Sequence, residues 1–209
     1  MLAFLTIVVT GITGFVFFRE GLLTAFAMFC NVFLAGLVAF CFWEPIADLL
    51  DPLLSNNALH GYEDFFVLFL LFSLSLLLFR WVTNSLAPHT TEFFPGLQEG
   101  GGVIFGLATG YLLAGFLVCL VQTLPWHQEF LGFESEFNPN QTGAGLRRVL
   151  PPDRVWLGLM GRASIITFST SGKGFDNHGS FEMRYARYRR YNDKGEVAPF
   201  RGEISPLKE

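Results

Sequence analysis

The residues of this chain that could do chemistry are few and scattered. His60, His89, His127 and His178 fall singly in the loops and the tail. That spacing suits interfacial or solvated side chains better than metal ligands, which must converge. Cys30, Cys41 and Cys119 all lie inside apolar runs with no C-x-x-C among them, and read as small apolar fillers. Ser171-Gly172-Lys173-Gly174 lacks the earlier glycine and the following Ser or Thr of a phosphate-cradling loop. There is no H-E-x-x-H, no G-x-S-x-G and no cysteine–histidine cluster. Asn140-Gln141-Thr142 is a formal glycosylation sequon of little weight. The expectation is a non-enzyme with no catalytic, metal or cofactor-binding residue.

Two patterns remain. Gly102, Gly106 and Gly110 recur at one-turn spacing and are followed by Ala114. Small residues so placed let a neighbouring backbone come close, and inside a membrane such contact replaces the missing hydrophobic drive. The spacing does not separate packing within one chain from packing between copies. Thr10 and Gly14 form a weaker small-residue edge near the N-terminus. The second pattern is Arg184, Arg187, Arg189 and Arg190 interleaved with Tyr185, Tyr188 and Tyr191. It reads either as a solvated segment or as a contact with anionic lipid, where each basic group near the surface adds about 1 kcal/mol.

The elements that must position these residues are apolar runs. Spans are expected at about 2–18, 22–43, 65–82 and 101–124, each near the ~20 residues that a bilayer core requires. Without water the backbone must bond to itself, so these runs should be helices. The fold class is therefore an all-α membrane protein, four transmembrane helices over 1–126 with a short, partly irregular polar tail. Residues 1–127 hold only two basic side chains, Arg19 and Arg80, against eight acids; the remainder holds twelve basic residues and ten acids. Such asymmetry suits a membrane protein. A cleavable signal peptide is disfavoured: no basic n-region precedes the first run, and apolar sequence continues beyond Ala27.

Arg19, Glu20 and Gly21 alone separate the first two spans, which requires a tight hairpin. In the acidic loop 44–64, Ile46, Leu49, Leu50, Leu53 and Leu54 share a helical face. Either a surface helix forms there, entered at Pro45 and bent or ended near Pro52, or span two simply continues. Residues 127–150 read as a linker. An amphipathic helix is expected near 153–163, started by Pro151-Pro152-Asp153, with Val155, Trp156, Leu159 and Met160 on one face. Ile165–Phe168 is a candidate strand. The tail is too poor in periodic apolar sequence for its own core, so it packs on the membrane domain, lies on lipid, or is partly disordered.

Four spans put both termini on one side. Arg19 and Arg80 sit on the opposite side, and the acidic loop has no basic residue, which favours periplasmic termini by the positive-inside count. The tail arginines argue the other way if included. Asn31 is the one strongly polar group at depth and suits an interhelical hydrogen bond. Ionisable residues, the usual mark of an ion path, are nearly absent from the spans. A small oligomeric channel or transporter is the rival reading, with Asn31 and Thr109 as its pore-lining groups.

The membrane portion resembles the colicin V production (CvpA) family. The resemblance rests on Gly11 and Gly14 in span one, the Arg19-Glu20-Gly21 turn, the acidic Pro/Leu-rich loop, Arg80 closing span three, and the glycine entry to span four. It covers roughly 1–126, and at most the Trp156 helix besides. Glu20 is an insertion relative to the usual turn, and Gln98-Glu99 stands where relatives often carry Asp-Arg. The resemblance implies a bacterial inner-membrane protein, an accessory or structural factor in colicin V production or secretion and in envelope homeostasis, without catalysis. Expected partners are membrane lipid, further copies of the chain or other envelope proteins, and not nucleic acid.

Overall fold

The computed structural model describes residues 2–54, 62–86, 94–124, 126, 151–167, 181, 184 and 185. Five helices carry them: α1 (Leu2–Glu20), α2 (Leu22–Leu54), α3 (Glu63–Leu86), α4 (Pro95–Gln122) and α5 (Pro152–Thr167). No strand occurs among the described residues. The first four helices are long and apolar enough to cross a membrane. The protein is an all-α, multi-pass membrane protein.

α1 and α2 form a hairpin closed at Gly21, whose φ of 93° lies in the left-handed region that glycine tolerates best. Its N–H donates to the Phe17 carbonyl at 3.1 Å, and its own carbonyl accepts from Ala25 N–H at 3.1 Å. The hairpin partners do not pack closely on each other. α1 leans on α4 instead, while α2 packs on both α3 and α4. The lateral order is therefore α1, α4, α2, α3.

α2 continues unbroken to Leu54 through Pro45 and Pro52, so no separate surface helix forms at its end. Its 33 residues make about 50 Å of helix, against about 30 Å of hydrocarbon. An interior proline removes one backbone bond and costs about 3 kcal/mol. Packing offsets that cost: Trp43 and Ala47 are buried, and Leu50 packs against the same core. Ile46 and Leu49 point outward, so the apolar face expected of that stretch is split between core and exterior.

α4 also starts earlier than its glycines suggest, at Pro95, where proline's fixed φ and missing N–H are harmless in the first turn. The candidate strand Ile165–Phe168 is corrected for its described part: Ile165, Ile166 and Thr167 complete α5, and Phe168 lies outside the described residues. β-branched side chains favour extension only weakly, and these exposed residues continue the helix seated by Met160 and Ser164. The buried face of α5 is also turned from the expected one. Asp153, Trp156, Leu157, Met160 and Ser164 are buried, whereas Val155 and Leu159 are partly exposed.

The core lies between α2, α3, α4 and α5. Trp43, Trp156, Phe40, Phe116, Leu68 and Met160 are its largest fully buried side chains. Phe72 of α3 stacks on Phe116 of α4 with ring centroids 3.8 Å apart. Phe40 and Phe116 each meet Trp156 edge-on, at 6.0 and 5.8 Å.

Candidate functional site at the acidic end of the bundle

The glycine stripe of α4 faces α1. A methyl placed on Gly106 would come 2.8 Å from Phe17 Cβ and 3.2 Å from Gly14 Cα. One on Gly110 would meet Thr10 Cα at 2.8 Å, and one on Gly102 the Phe17 carbonyl oxygen at 2.6 Å. Gly14 answers from α1, with Leu107 filling the space its side chain would take. Ala114 is fully buried. The four glycines thus lie in a seam inside one chain, where α1 and α4 approach closely.

Asn31 and Thr83 form the second inter-helix tie. The Thr83 hydroxyl lies 3.0 Å from Asn31 Oδ1, joining α2 to α3. Thr109, buried on α4, donates to the Phe105 carbonyl at 2.7 Å. Each polar group thus has a protein partner.

The richest polar chemistry lies where α2 ends, α3 begins and α4 ends. Asp153, in the first turn of α5, is fully buried and accepts from Gln122 Nε2 at 2.9 Å. A carboxylate there also meets the positive end of the α5 dipole. Cys119 Sγ lies 3.9 Å from the Asp153 carbonyl oxygen. Glu63, the first residue of α3, is buried close by in sequence to Asp64, which accepts from the Tyr185 hydroxyl at 2.7 Å. Arg184 donates to Glu44 Oε1 at 2.6 Å. Trp126 Nε1 donates to the Tyr62 hydroxyl at 3.3 Å.

Two glycines seat α5 there. A methyl on Gly36 would strike the Trp156 ring, and one on Gly115 would strike the Pro152 carbonyl and come 2.9 Å from Trp156 Cβ. Gly36 lies two turns, roughly 10 Å, inside Trp43 along α2. Trp156 therefore inserts between α2 and α4 well below the helix ends. Phe181 and Tyr185, one turn apart, are buried against Trp43, with centroids at 6.1 and 6.3 Å.

Of the arginines singled out for lipid contact, Arg184 is engaged with Glu44, while Arg187, Arg189 and Arg190 lie outside the described residues. The four histidines, Ser171–Gly174 and the whole linker 127–150, with Asn140, also lie outside them. Among the described residues no group of three His, Cys, Asp or Glu is placed to hold a metal ion. Sequence reasoning missed Gly36, Gly115 and Gln122, and took Asp153 only as a helix start. The available signals were two further glycines within the spans and an acid directly after Pro151-Pro152.

The family model for colicin V production protein matches residues 2–138. The chain belongs to that family. The matched stretch takes in all four spans and ends before α5. A colicin V production family body therefore supplies α1 to α4, and α5 with Phe181, Arg184 and Tyr185 closes one end of it. Comparison with curated proteins and with solved structures finds no match.

Proposed function

We propose that the protein is an accessory or structural factor of the bacterial inner membrane that supports colicin V production or secretion and envelope homeostasis. The observation that carries this reading is the family match across the whole four-helix body. The interior agrees with a structural role in that Asn31 and Thr109, the two groups a pore would use, are engaged by Thr83 and by the helix backbone.

The termini are periplasmic in this proposal. Arg19 and Arg80 stand on the opposite face, and on the termini's face Glu44 and Asp64 engage Arg184 and Tyr185. Arg184 lies more than 60 residues past the end of α4, beyond the stretch near the span ends that the positive-inside count covers. The protein's partners are membrane lipid and other envelope proteins, without nucleic acid, and the chain carries out no catalysis.

The test is deletion and complementation in a colicin V-producing strain, scoring toxin released to the medium and outer-membrane permeability to detergent. Loss of either, restored by the full chain, is expected. Unchanged release and unchanged permeability in the deletion strain would sink the proposal.

A further inference from the structure

α5 buries two polar side chains, Asp153 and Ser164, and leaves apolar ones outside. Val155, Leu159, Ile165 and Ile166 are exposed, Ile166 at 86%. With Gly158 and Arg162, also exposed, they form one stripe along the helix, and Arg162 is its one charged member. A helix lying in water on a protein surface turns a charged and polar face outward. The register of the glycines gives the depth of this stripe. Exposed Arg19 and Glu20, beside Gly21, mark one surface of the bilayer. A methyl on Gly102 would come 3.3 Å from the Gly21 carbonyl carbon, so these two residues stand at one level. Gly115 is 13 residues beyond Gly102 on α4, and Gly36 is 15 residues beyond Gly21 on α2. Both therefore stand roughly 20 Å above the turn. Trp156 touches both sites, Pro152 meets the Gly115 site and Met160 meets the Gly36 site. α5 thus crosses the bundle nearly level, about 10 Å inside the far surface of a hydrocarbon layer about 30 Å thick.

We propose that α5 is an in-plane helix sunk in the leaflet opposite the Arg19–Gly21 turn, with phospholipid acyl chains covering its outer stripe and Arg162 reaching up to the lipid phosphates. Amphipathic helices that lie in the membrane plane bury their apolar face about 5–10 Å into the boundary between headgroups and acyl chains. The glycine register places α5 at that depth. An arginine stem can lie along apolar surface while its charged head reaches the interface. α5 is also fixed from below, because Trp156 is wedged between Gly36 and Gly115. A helix outside the matched stretch 2–138 is then part of the lipid-facing body. The depth argument holds whichever side of the membrane the termini face.

The test uses the unaltered full-length protein in nanodiscs of phosphatidylethanolamine and phosphatidylglycerol, doped with a phosphatidylcholine that carries a diazirine on its acyl chain. After illumination, the inserted lipid is located by mass spectrometry. Leu77 of α3, 64% exposed, is the lipid-facing reference. The expected yields at Leu159 and Ile166 are within about three-fold of that at Leu77, with none at buried Trp156 or Met160. Yields at both positions below about a tenth of the Leu77 value would overturn the proposal. A spin label then identifies what covers the stripe. It is placed by Ile166→Cys, and separately by Glu20→Cys, in a Cys30→Ala/Cys41→Ala/Cys119→Ala background. Oxygen concentrates in acyl chains and a nickel chelate stays in water, so the ratio of their collision rates at position 166 should exceed that at position 20 about ten-fold or more. Frequent nickel collisions at position 166 would mean a water-facing helix. Rare collisions with both reagents would mean a protein cover such as a second copy of the chain. Either result overturns the proposal. Should the cysteine-free background fail to fold, the photolabelling decides alone, since it alters no residue.

Discussion

Arg184 and Glu44 are 140 residues apart in sequence and meet at 2.6 Å. The meeting brings the far tail back to the rim where α2 leaves the membrane body and α3 re-enters it. Because the pair is partly exposed, its own energy is small, of the order of 0.2–1 kcal/mol. The aromatic residues beside it carry more. Phe181 is buried against Phe40 and Trp43.

Phe181→Ala should therefore destabilise the protein by about 3 kcal/mol, while Arg184→Ala costs under about 1 kcal/mol. Equilibrium unfolding of the purified protein by a mild denaturing detergent measures both. Equal losses in the two variants would mean that the ion pair anchors the tail as firmly as the ring.

At Gly106 the nearest atoms across the α1–α4 seam are Phe17 Cβ, Gly14 Cα and the Thr13 carbonyl oxygen, none of them the far end of a flexible side chain that could move aside. Gly106→Leu should separate the helices, with an overpacking penalty of about 1–3 kcal/mol or more. Gly11→Leu is the control, since nothing lies within 4 Å of a methyl at that site. Thermal scans of the two variants in detergent should fall far apart, Gly106→Leu low and Gly11→Leu near the parent.

The Asn31–Thr83 tie spans two helices inside the apolar layer. Interhelical hydrogen bonds of this kind average about 0.6 kcal/mol in double-mutant cycles, since the separated helices also find partners. A cycle through Asn31→Leu and Thr83→Val should give a coupling of that size. A coupling above about 2 kcal/mol would mark Asn31 as part of a larger polar network.

Gly21 turns α1 into α2 with φ at 93°. Gly21→Val should cost about 1–2 kcal/mol for the backbone alone. It should cost more in place, because a side chain there would also meet Gln98 at the α4 entry. Gly21→Asn, which tolerates the left-handed region better, should lose less in the same detergent-unfolding measurement.

The existence of the spans was legible because each run supplies enough apolar residues to cross, and length alone decides that. Glycine at positions 102, 106 and 110 announced a close approach, but spacing along one helix says nothing about which helix approaches. The seating of α5 was hidden for a similar reason. Trp156 reads as one apolar residue on a short amphipathic helix, and Gly36 and Gly115 read as ordinary span glycines. Only folding brings the three together. Pro45 and Pro52 left two readings open, since proline's cost is intrinsic while the burial of Trp43 and Ala47 that offsets it is tertiary. Ile165 and Ile166 misled for a different reason: their branched side chains favour extension only weakly, and both stand exposed on turns that simply continue α5.

The lateral order of the helices also fixes an order in time. α1 leaves the ribosome first, yet its packing partner is α4, the last of the four to be made. At about 5–20 residues per second, roughly a hundred residues of further synthesis must pass before that partner exists. During those seconds α1 must wait in lipid with its small-residue edge uncovered, tethered by the Gly21 hairpin. Biogenesis of this protein therefore has a vulnerable interval, and a membrane chaperone that shelters a lone, loosely held first helix would act in it.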